Sequence, residues 1–270
     1  MTVNRKVLVK GGGDLASGVI YRLYKAGLEV TVAEKSRPSM VRRTVSFGQA
    51  VYDGEYEVED IPARLITNHD QFNNCLSAGI IPVFVSELMR AVRDWFKPDI
   101  IVDARMMKRE NDTDIDESSL VIGLGPGFEV GKDVHAVVET CRGHYLGRTL
   151  YEGRALPDTG QPGEVQGYTE ERVVYAPRDG NFNSNKEIGD YINKGEQFGL
   201  VGKTPVKAKI SGIIRGQIHP GYETDKGMKI GDIDPRAERD HCFKISDKAL
   251  AVGGGVLEAI FHLKQKWQNN

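Results

Sequence analysis

The sequence predicts an α/β chain: a Rossmann-like parallel-sheet domain over residues 1–150, a small β-rich domain over 151–245, and a C-terminal helix over 246–270 that packs back on the first domain. Three observations predict it. Apolar strand-like runs alternate with helical periodicity from Val7 to Leu124, the pattern of a parallel sheet covered on both faces. Glycine and proline then crowd Tyr151 to Gly167, and short strand-like runs recur between glycine turns beyond them. Ser246-Asp247 opens a last helical window that runs to Lys264.

The first domain is organised around Lys6 to Glu34. Val7 to Val9 forms a short apolar run, three glycines follow, and Leu15, Val19, Ile20 and Leu23 recur at helical spacing before Gly27 and a second run, Val30 to Ala33. That is strand, tight turn, helix, strand. Gly11, Gly13 and Ala16 fit GxGxxA, which lets backbone approach a phosphate at the amino end of a helix. Gly11, Gly12, Gly13 and Asp14 are therefore candidate ligand-binding residues, and Glu34 is placed to bond a ribose hydroxyl. A lone fingerprint also fits a scaffold whose glycines merely pack a turn.

Beyond the second strand, Arg42 and Arg43 beside Thr44 and Ser46 offer planar donors and hydroxyls suited to an anionic group. Tyr56, Val58, Ile61 and Ala63 alternate as a hairpin-like excursion. Asp70 to Ala78 reads as a short helix, Ile80 to Val85 as a buried strand, and Ser86 to Trp95 as a helix. Pro98 to Ala104 and Leu120 to Leu124 read as two more strands. Ligands of such sheets lie at the carboxyl ends of the strands, a rule that gathers Gly11 to Asp14, Glu34, Asp103 to Arg109 and Gly125 to Gly127 at one edge. There Asp103 followed by Lys108 and Arg109 can hold a phosphate or polarise a carbonyl.

Asp133 to His144 is the densest cluster of reactive side chains. Period-two alternation predicts a strand with His135 and Glu139 on one face, an acid and a base for proton transfer or a satisfied structural pair. Cys141 next to Arg142 and near His144 has the neighbours that lower a thiol pKa. Two ligands make no recognised metal-site spacing, so no metal is expected. We expect Asp103, Lys108, Arg109, His135, Glu139, Arg142 and His144 to line one cleft with the glycine turn.

In the terminal helix Gly253, Gly254 and Gly255 cost about 1 kcal/mol each relative to alanine, so a neighbour must approach closely there. The turn-rich acidic stretch Lys226 to Arg236 lacks the acid spacing of an EF-hand.

Composition narrows the function classes. With 36 Lys and Arg against 38 Asp and Glu the net charge is -2, and no basic block marks a nucleic-acid partner. No stretch approaches a membrane span and no secretory h-region precedes the first glycines, so a cytoplasmic protein without membrane partners is expected. Its 3 cysteines are far apart and in no CxxC pair, which predicts reduced thiols. The identity of the cofactor and self-association into a homo-oligomer stay open.

Two resemblances add to this. The blocks APRDGNF, IGDYINKGE and AKISGII resemble the barrel-sandwich hybrid of biotinyl and lipoyl carrier domains, which implies that fold for 151–245. The hairpin at Gly202-Lys203-Thr204-Pro205 lacks the flanks of a carrier lysine, so neither biotin nor lipoate is expected on Lys203. Over nearly the whole chain, GGGDLASG, RRTVSFGQAVY, VDARMMKR, VIGLGPGF, HAVVETCRGHYLGR, MKIGDIDPR and ISDKALAVGGGVLEAI resemble the YqeB-type accessory proteins of the selenium-dependent molybdenum hydroxylase system. That resemblance implies a bacterial maturation factor whose partners are a selenium-dependent hydroxylase of xanthine dehydrogenase type or other maturation factors. It keeps Arg142, Gly143 and His144 as candidates and counts against Cys141 as nucleophile. The ligand classes carried forward are an adenine nucleotide, NAD(P) or molybdopterin dinucleotide. The rival functions are an NAD(P)-dependent oxidoreductase and a non-catalytic cofactor-delivery scaffold.

Overall fold

A computed structural model of the chain describes residues 5–86, 89–107 and 112–264. The chain divides into two compact units, one made of residues 1–38, 47–158 and 245–270, the other of 39–46 and 159–244.

The first unit begins β1 (Lys6–Lys10), α1 (Asp14–Lys25), β2 (Glu29–Glu34), α2 (Ala50–Asp53), β3 (Glu55–Val58), β4 (Ile61–Leu65), α3 (His69–Ser77), β5 (Ile81–Val85) and α4 (Met89–Phe96). It continues with β6 (Ile100–Asp103), β7 (Leu120–Leu124), β8 (Ala136–Val138) and β9 (Thr149–Leu150). All nine strands join one sheet in the order β3-β4-β5-β2-β1-β6-β7-β8-β9. Neighbours from β4 through β8 run parallel, while β3 pairs antiparallel with β4 and β9 with β8. Val7, Leu8, Val9, Ile100, Ile101, Val102 and Leu120 to Ile122 are fully buried, as central parallel strands require.

The second unit holds β10 (Val173–Tyr175), β11 (Gly180–Asn183), β12 (Tyr191–Ile192), β13 (Gln197–Val201), β14 (Thr204–Lys207), β15 (Gly212–Gln217), β16 (Glu223–Thr224) and β17 (Lys229–Asp234). They form two four-stranded antiparallel sheets, β10-β17-β15-β12 and β14-β13-β11-β16. The rings of Phe182 and Phe198 lie 5.9 Å apart in their core, and Gly231 and Gly199 carry no Cβ where those rings press on the strands.

The fold class therefore needs correcting. In place of a Rossmann-like parallel domain with a barrel-sandwich hybrid-like one, the chain has a large mixed sheet and two small antiparallel sheets. Alternation in Tyr56, Val58, Ile61 and Ala63 marks a hairpin, but it cannot tell that β4 goes on to pair parallel with β5 and extend the main sheet. The fingerprint glycines are likewise filled by the chain itself. Gly48 donates its N–H to the Gly12 carbonyl at 2.8 Å, and a Cβ on Gly12 would lie 2.7 Å from the Gly48 nitrogen.

Helix α5 (Asp247–His262) belongs to the first unit and lies against α1. Ser246 caps it by accepting from the Ala249 N–H. Gly18 has no room for a Cβ because the Ala249 carbonyl is there, and Gly253 faces the Gly18 carbonyl in return. Those small residues let two backbones touch. Among the described residues no helix is long and apolar enough to cross a membrane.

Candidate functional site

Four loops meet at the carboxyl ends of the parallel strands in the first unit. At the end of β1, Gly11 adopts φ +98, and a Cβ there would lie 3.2 Å from the Ala104 carbonyl, so the turns after β1 and β6 touch backbone to backbone. After β7, Gly125 at φ +69 donates to the Val138 carbonyl at 2.8 Å and leaves no room for a Cβ beside the Thr140 hydroxyl. Met106 takes a left-handed φ of +58 in the loop after β6, a strained conformation for a methionine.

Glu139 shapes the fourth loop. Its carboxylate is 2% exposed and accepts from the N–H groups of Thr140 and Cys141, both at 2.7 Å, and of Leu156 at 2.8 Å. Gly147, in the same loop, packs against the Ala251 carbonyl and so brings α5 to this edge.

The electrostatic centre is Lys248, in the first turn of α5. Burial first, and then the charge of Arg142, hold its pKa below the ordinary lysine value, against the pull of Asp14, Cys141 and Glu139. Arg142, itself exposed, pairs loosely with the exposed Asp247 at 3.5 Å. Asp14 opens α1, whose N-cap is Gly13 and offers no side chain to the first turn. Two helix amino ends and two cations thus gather where strands β1 and β8 finish, an arrangement suited to an anion.

The other sequence-predicted residues are distributed as follows. Glu34 is bonded to the N–H groups of Gly12 and Lys35, both at 2.8 Å, rather than held out toward a ribose. Arg42 and Arg43 lie in the second unit, where Arg42 donates to the carbonyls of His241 and Lys244 at 2.9 and 3.0 Å, and Arg43 to Gln217 at 2.8 Å. They anchor residues 39–46 among the strands of that unit. Asp103 is 1% exposed and is held by Arg105 and by the Thr113 hydroxyl, both at 2.6 Å, while Lys10 reaches Thr113 at 3.1 Å and Glu117 at 2.8 Å. This buried network ties the loop after β6 to β1. Lys108 and Arg109 lie outside the described residues.

His135 and Glu139 have different hydrogen-bond partners. Strand β8 is three residues long and they flank it, roughly 13 Å apart along extended chain. His135 accepts from the Val121 N–H through Nδ1 at 3.0 Å, toward the amino end of β7 and away from the loops just described. His144 is exposed, and its carbonyl accepts from Arg148 at 3.3 Å. The structure thus brings Gly11 to Asp14, Gly125, Glu139 and Arg142 to the loops at one edge of the first unit, with His135 bonded near the amino end of β7 and Arg42 and Arg43 belonging to the second unit. Among the described residues no group of three or more His, Cys, Asp or Glu side chains is placed to hold a metal ion.

The Escherichia coli (strain K12) "Uncharacterized protein YqeB" is 44% identical over 257 residues, which are 95% of this chain and 47% of that protein. The chain is a homologue of YqeB. It spans about half the length of that curated relative. No protein-family model matches it. Among solved structures, a succinylglutamatedesuccinylase/aspartoacylase from Rhodobacter sphaeroides is similar at 14% identity and TM-score 0.28, over 85% of each chain. The product-bound ectoine utilization protein EutE (DoeB) from Ruegeria pomeroyi follows at 11% identity and TM-score 0.23, over 84% of this chain and 56% of its own. Likenesses that faint carry no argument about fold or activity.

Lys248 escaped the sequence reading although a signal was present. A lysine two residues after a serine N-cap stands at the positive end of its helix, where cations are disfavoured and acids are usual. That misplacement, beside the glycines that let α5 approach α1, marks the position.

Proposed function

We propose that the chain is an accessory protein in the maturation of a selenium-dependent molybdenum hydroxylase of xanthine dehydrogenase type, and that it holds an anionic, phosphate-bearing cargo at the carboxyl edge of the nine-stranded sheet. The observation that carries the binding half is the gathering of Lys248, Arg142 and the amino end of α1 around the loops after β1 and β8. Burial of Lys248 and the charge of Arg142 disfavour the ammonium, and an added anion would relieve this further than Asp14 and Glu139 do. A phosphate or pterin-dinucleotide cargo supplies that charge, with Arg142 giving planar donors and the first turn of α1 giving its dipole.

The maturation half rests on the seven sequence blocks that this chain shares with the YqeB-type accessory proteins and on its kinship with YqeB. Against a nicotinamide-dependent oxidoreductase stands Glu34, whose carboxylate is committed to Gly12 and Lys35. Delivery of a cargo to a partner hydroxylase is therefore the reading preferred over turnover.

Calorimetry with ATP, NAD, NADP and molybdopterin dinucleotide tests the binding. We expect heat with at least one of them, and loss of about tenfold or more in affinity in Arg142→Ala, the scale of one lost charge-assisted contact. No heat with any ligand, or an Arg142→Ala chain that binds like wild type, overturns the anion site. Hydroxylase activity in cells deleted for this protein tests the partner, and full activity there rejects the maturation role.

A further inference from the structure

We propose that the outer face of α5 is a docking surface for a further domain, one equivalent to the part of the Escherichia coli relative that has no counterpart in this chain. The inference is independent of the anion site and goes beyond it.

Helix α5 is apolar on two sides. Its inner side is buried at Ala249, Val252 and Val256, and Gly253 there meets the Gly18 carbonyl of α1. Its outer side carries Leu250, Gly254, Leu257 and Phe261, which recur at the i, i+4, i+7 and i+11 spacing of one helix face. Leu250 and Leu257 are half-buried, and Phe261 is 56% exposed. From Ala249 to Leu257 no side chain is polar, and Asp247, Lys248, Glu258 and His262 stand toward the two ends. A helix at a protein surface is ordinarily polar on its outer face, and one that is apolar all round is buried.

Gly254 is a separate sign of a missing neighbour. It is exposed, and a Cβ on it would meet nothing within 4 Å. Gly253 and Gly255 admit the Gly18 and Gly147 carbonyls, whereas Gly254 admits no group among the described residues. A glycine inside an exposed helix costs about 1 kcal/mol relative to alanine, and nothing in the chain offsets that here. What it offers is bare backbone between Leu250 and Leu257, a hollow into which another element can pack closely.

The size of the face selects the occupant. Sixteen residues make a strip about 24 Å long and about 10 Å wide, so docking on it buries roughly 500 Å² over the two surfaces. Two free chains need upward of about 1,000 Å² for stable association, which argues against a second copy. A domain on the same polypeptide needs less, because its tether keeps it at high effective concentration. The relative has room for such a domain: the 257 matched residues are 47% of it, so the remainder is larger than the matched half.

The test compares the full-length chain with a chimera in which it replaces the 257 matched residues of the relative. Phe261→Cys and, as a reference in the second unit, the exposed position Lys203→Cys are treated with a maleimide and mapped by mass spectrometry. We expect Phe261→Cys to react about tenfold more slowly in the chimera than in the lone chain, the factor for a domain docked nine-tenths of the time, with Lys203→Cys alike in both. Gly254→Arg, at a position with open space around it, should leave melting of the lone chain unimpaired and restore the labelling of Phe261→Cys in the chimera. Equal labelling of Phe261→Cys in the two proteins overturns the proposal, as does protection that survives Gly254→Arg. Two further outcomes give the face to another occupant and overturn this one. They are a lone chain that sediments as a dimer until Gly254→Arg disperses it, and uptake onto neutral lipid vesicles that Gly254→Arg abolishes. None of these readouts involves Arg142 or a bound anion, so they stand or fall apart from the proposed cargo site.

Discussion

A methyl group on Gly12 would lie 2.7 Å from the backbone nitrogen of Gly48 and 2.9 Å from its Cα. Neither atom belongs to a side chain that can swing aside, so relief requires the backbone to move and two hydrogen bonds to suffer, Gly12 to Glu34 and Gly48 to Gly12. Gly12→Ala should therefore lower stability by about 1–3 kcal/mol, the range for overpacking a filled site, with or without ligand present. A thermal melt of the unliganded chain measures it, and a midpoint equal to wild type would show that the turn is loose. At this scale the sequence made the turn legible and left its occupant hidden. GxGxxA states that something comes close to the backbone, and only coordinates tell a phosphate from Gly48. Glu34 was marked for the same reason, since an acid at that distance reaches whichever donors lie over the turn. Adjacency of Arg42 and Arg43 in sequence to β2 does not tell the unit in which residues 39–46 fold.

Strands and helices of the first unit were the most legible elements, because Val7 to Val9, Ile100 to Val102 and Leu120 to Leu124 are apolar runs of strand length with nothing polar inside. Length was the weak point. Alternation across His135, Val137 and Glu139 predicts a longer strand, yet β8 keeps only Ala136 to Val138, although the backbone N–H groups of His135 and Glu139 still donate to the Val121 and Arg148 carbonyls at 2.8 and 2.9 Å. In α5 the three glycines separate into two classes. Gly253 is buried, and a Cβ on it would meet the Gly18 carbonyl at 2.5 Å and Arg22 Cγ at 2.8 Å, whereas Gly254 is exposed with nothing within 4 Å. Gly254→Ala should stabilise by about 0.5–1 kcal/mol through helix propensity alone, and Gly253→Ala should destabilise by about 1–3 kcal/mol by prising α5 from α1. Urea melts of the two variants give the opposite signs directly. Equal shifts would mean that the two helices are not in backbone contact.

Charge is distributed over the molecule so that acid should act on the second unit through a buried cluster. Asp232 is 1% exposed, with Arg172 ion-paired to one oxygen and Arg215 at 2.6 Å from the other. Asp234 is 2% exposed and is held by Arg236 at 2.6 Å and more loosely by Arg215 at 3.6 Å. Burial alone would push both carboxyls up, but for Asp232 the charges of Arg215, Lys229 and Arg172 outweigh it, and for Asp234 the bonds from Arg236 do, so both end below the ordinary aspartate value. A carboxyl whose folded pKa is depressed binds its proton more readily when the chain is unfolded. Its contribution is complete above the unfolded value, about 3.9, and disappears as pH falls through the lower folded value. Unfolding of the second unit should therefore move to lower temperature as the solution is acidified below about pH 5, with little change between neutrality and that point. Asp232→Asn leaves Arg172 buried without its counter-charge and Arg215 with only the looser pairing to Asp234, and should cost about 3–5 kcal/mol at neutral pH. It should also flatten the acid dependence, because the group that titrates is gone. Calorimetric scans of both chains at stepped pH read the two effects together, and a variant whose acid slope matches wild type would mean that other carboxylates control the transition.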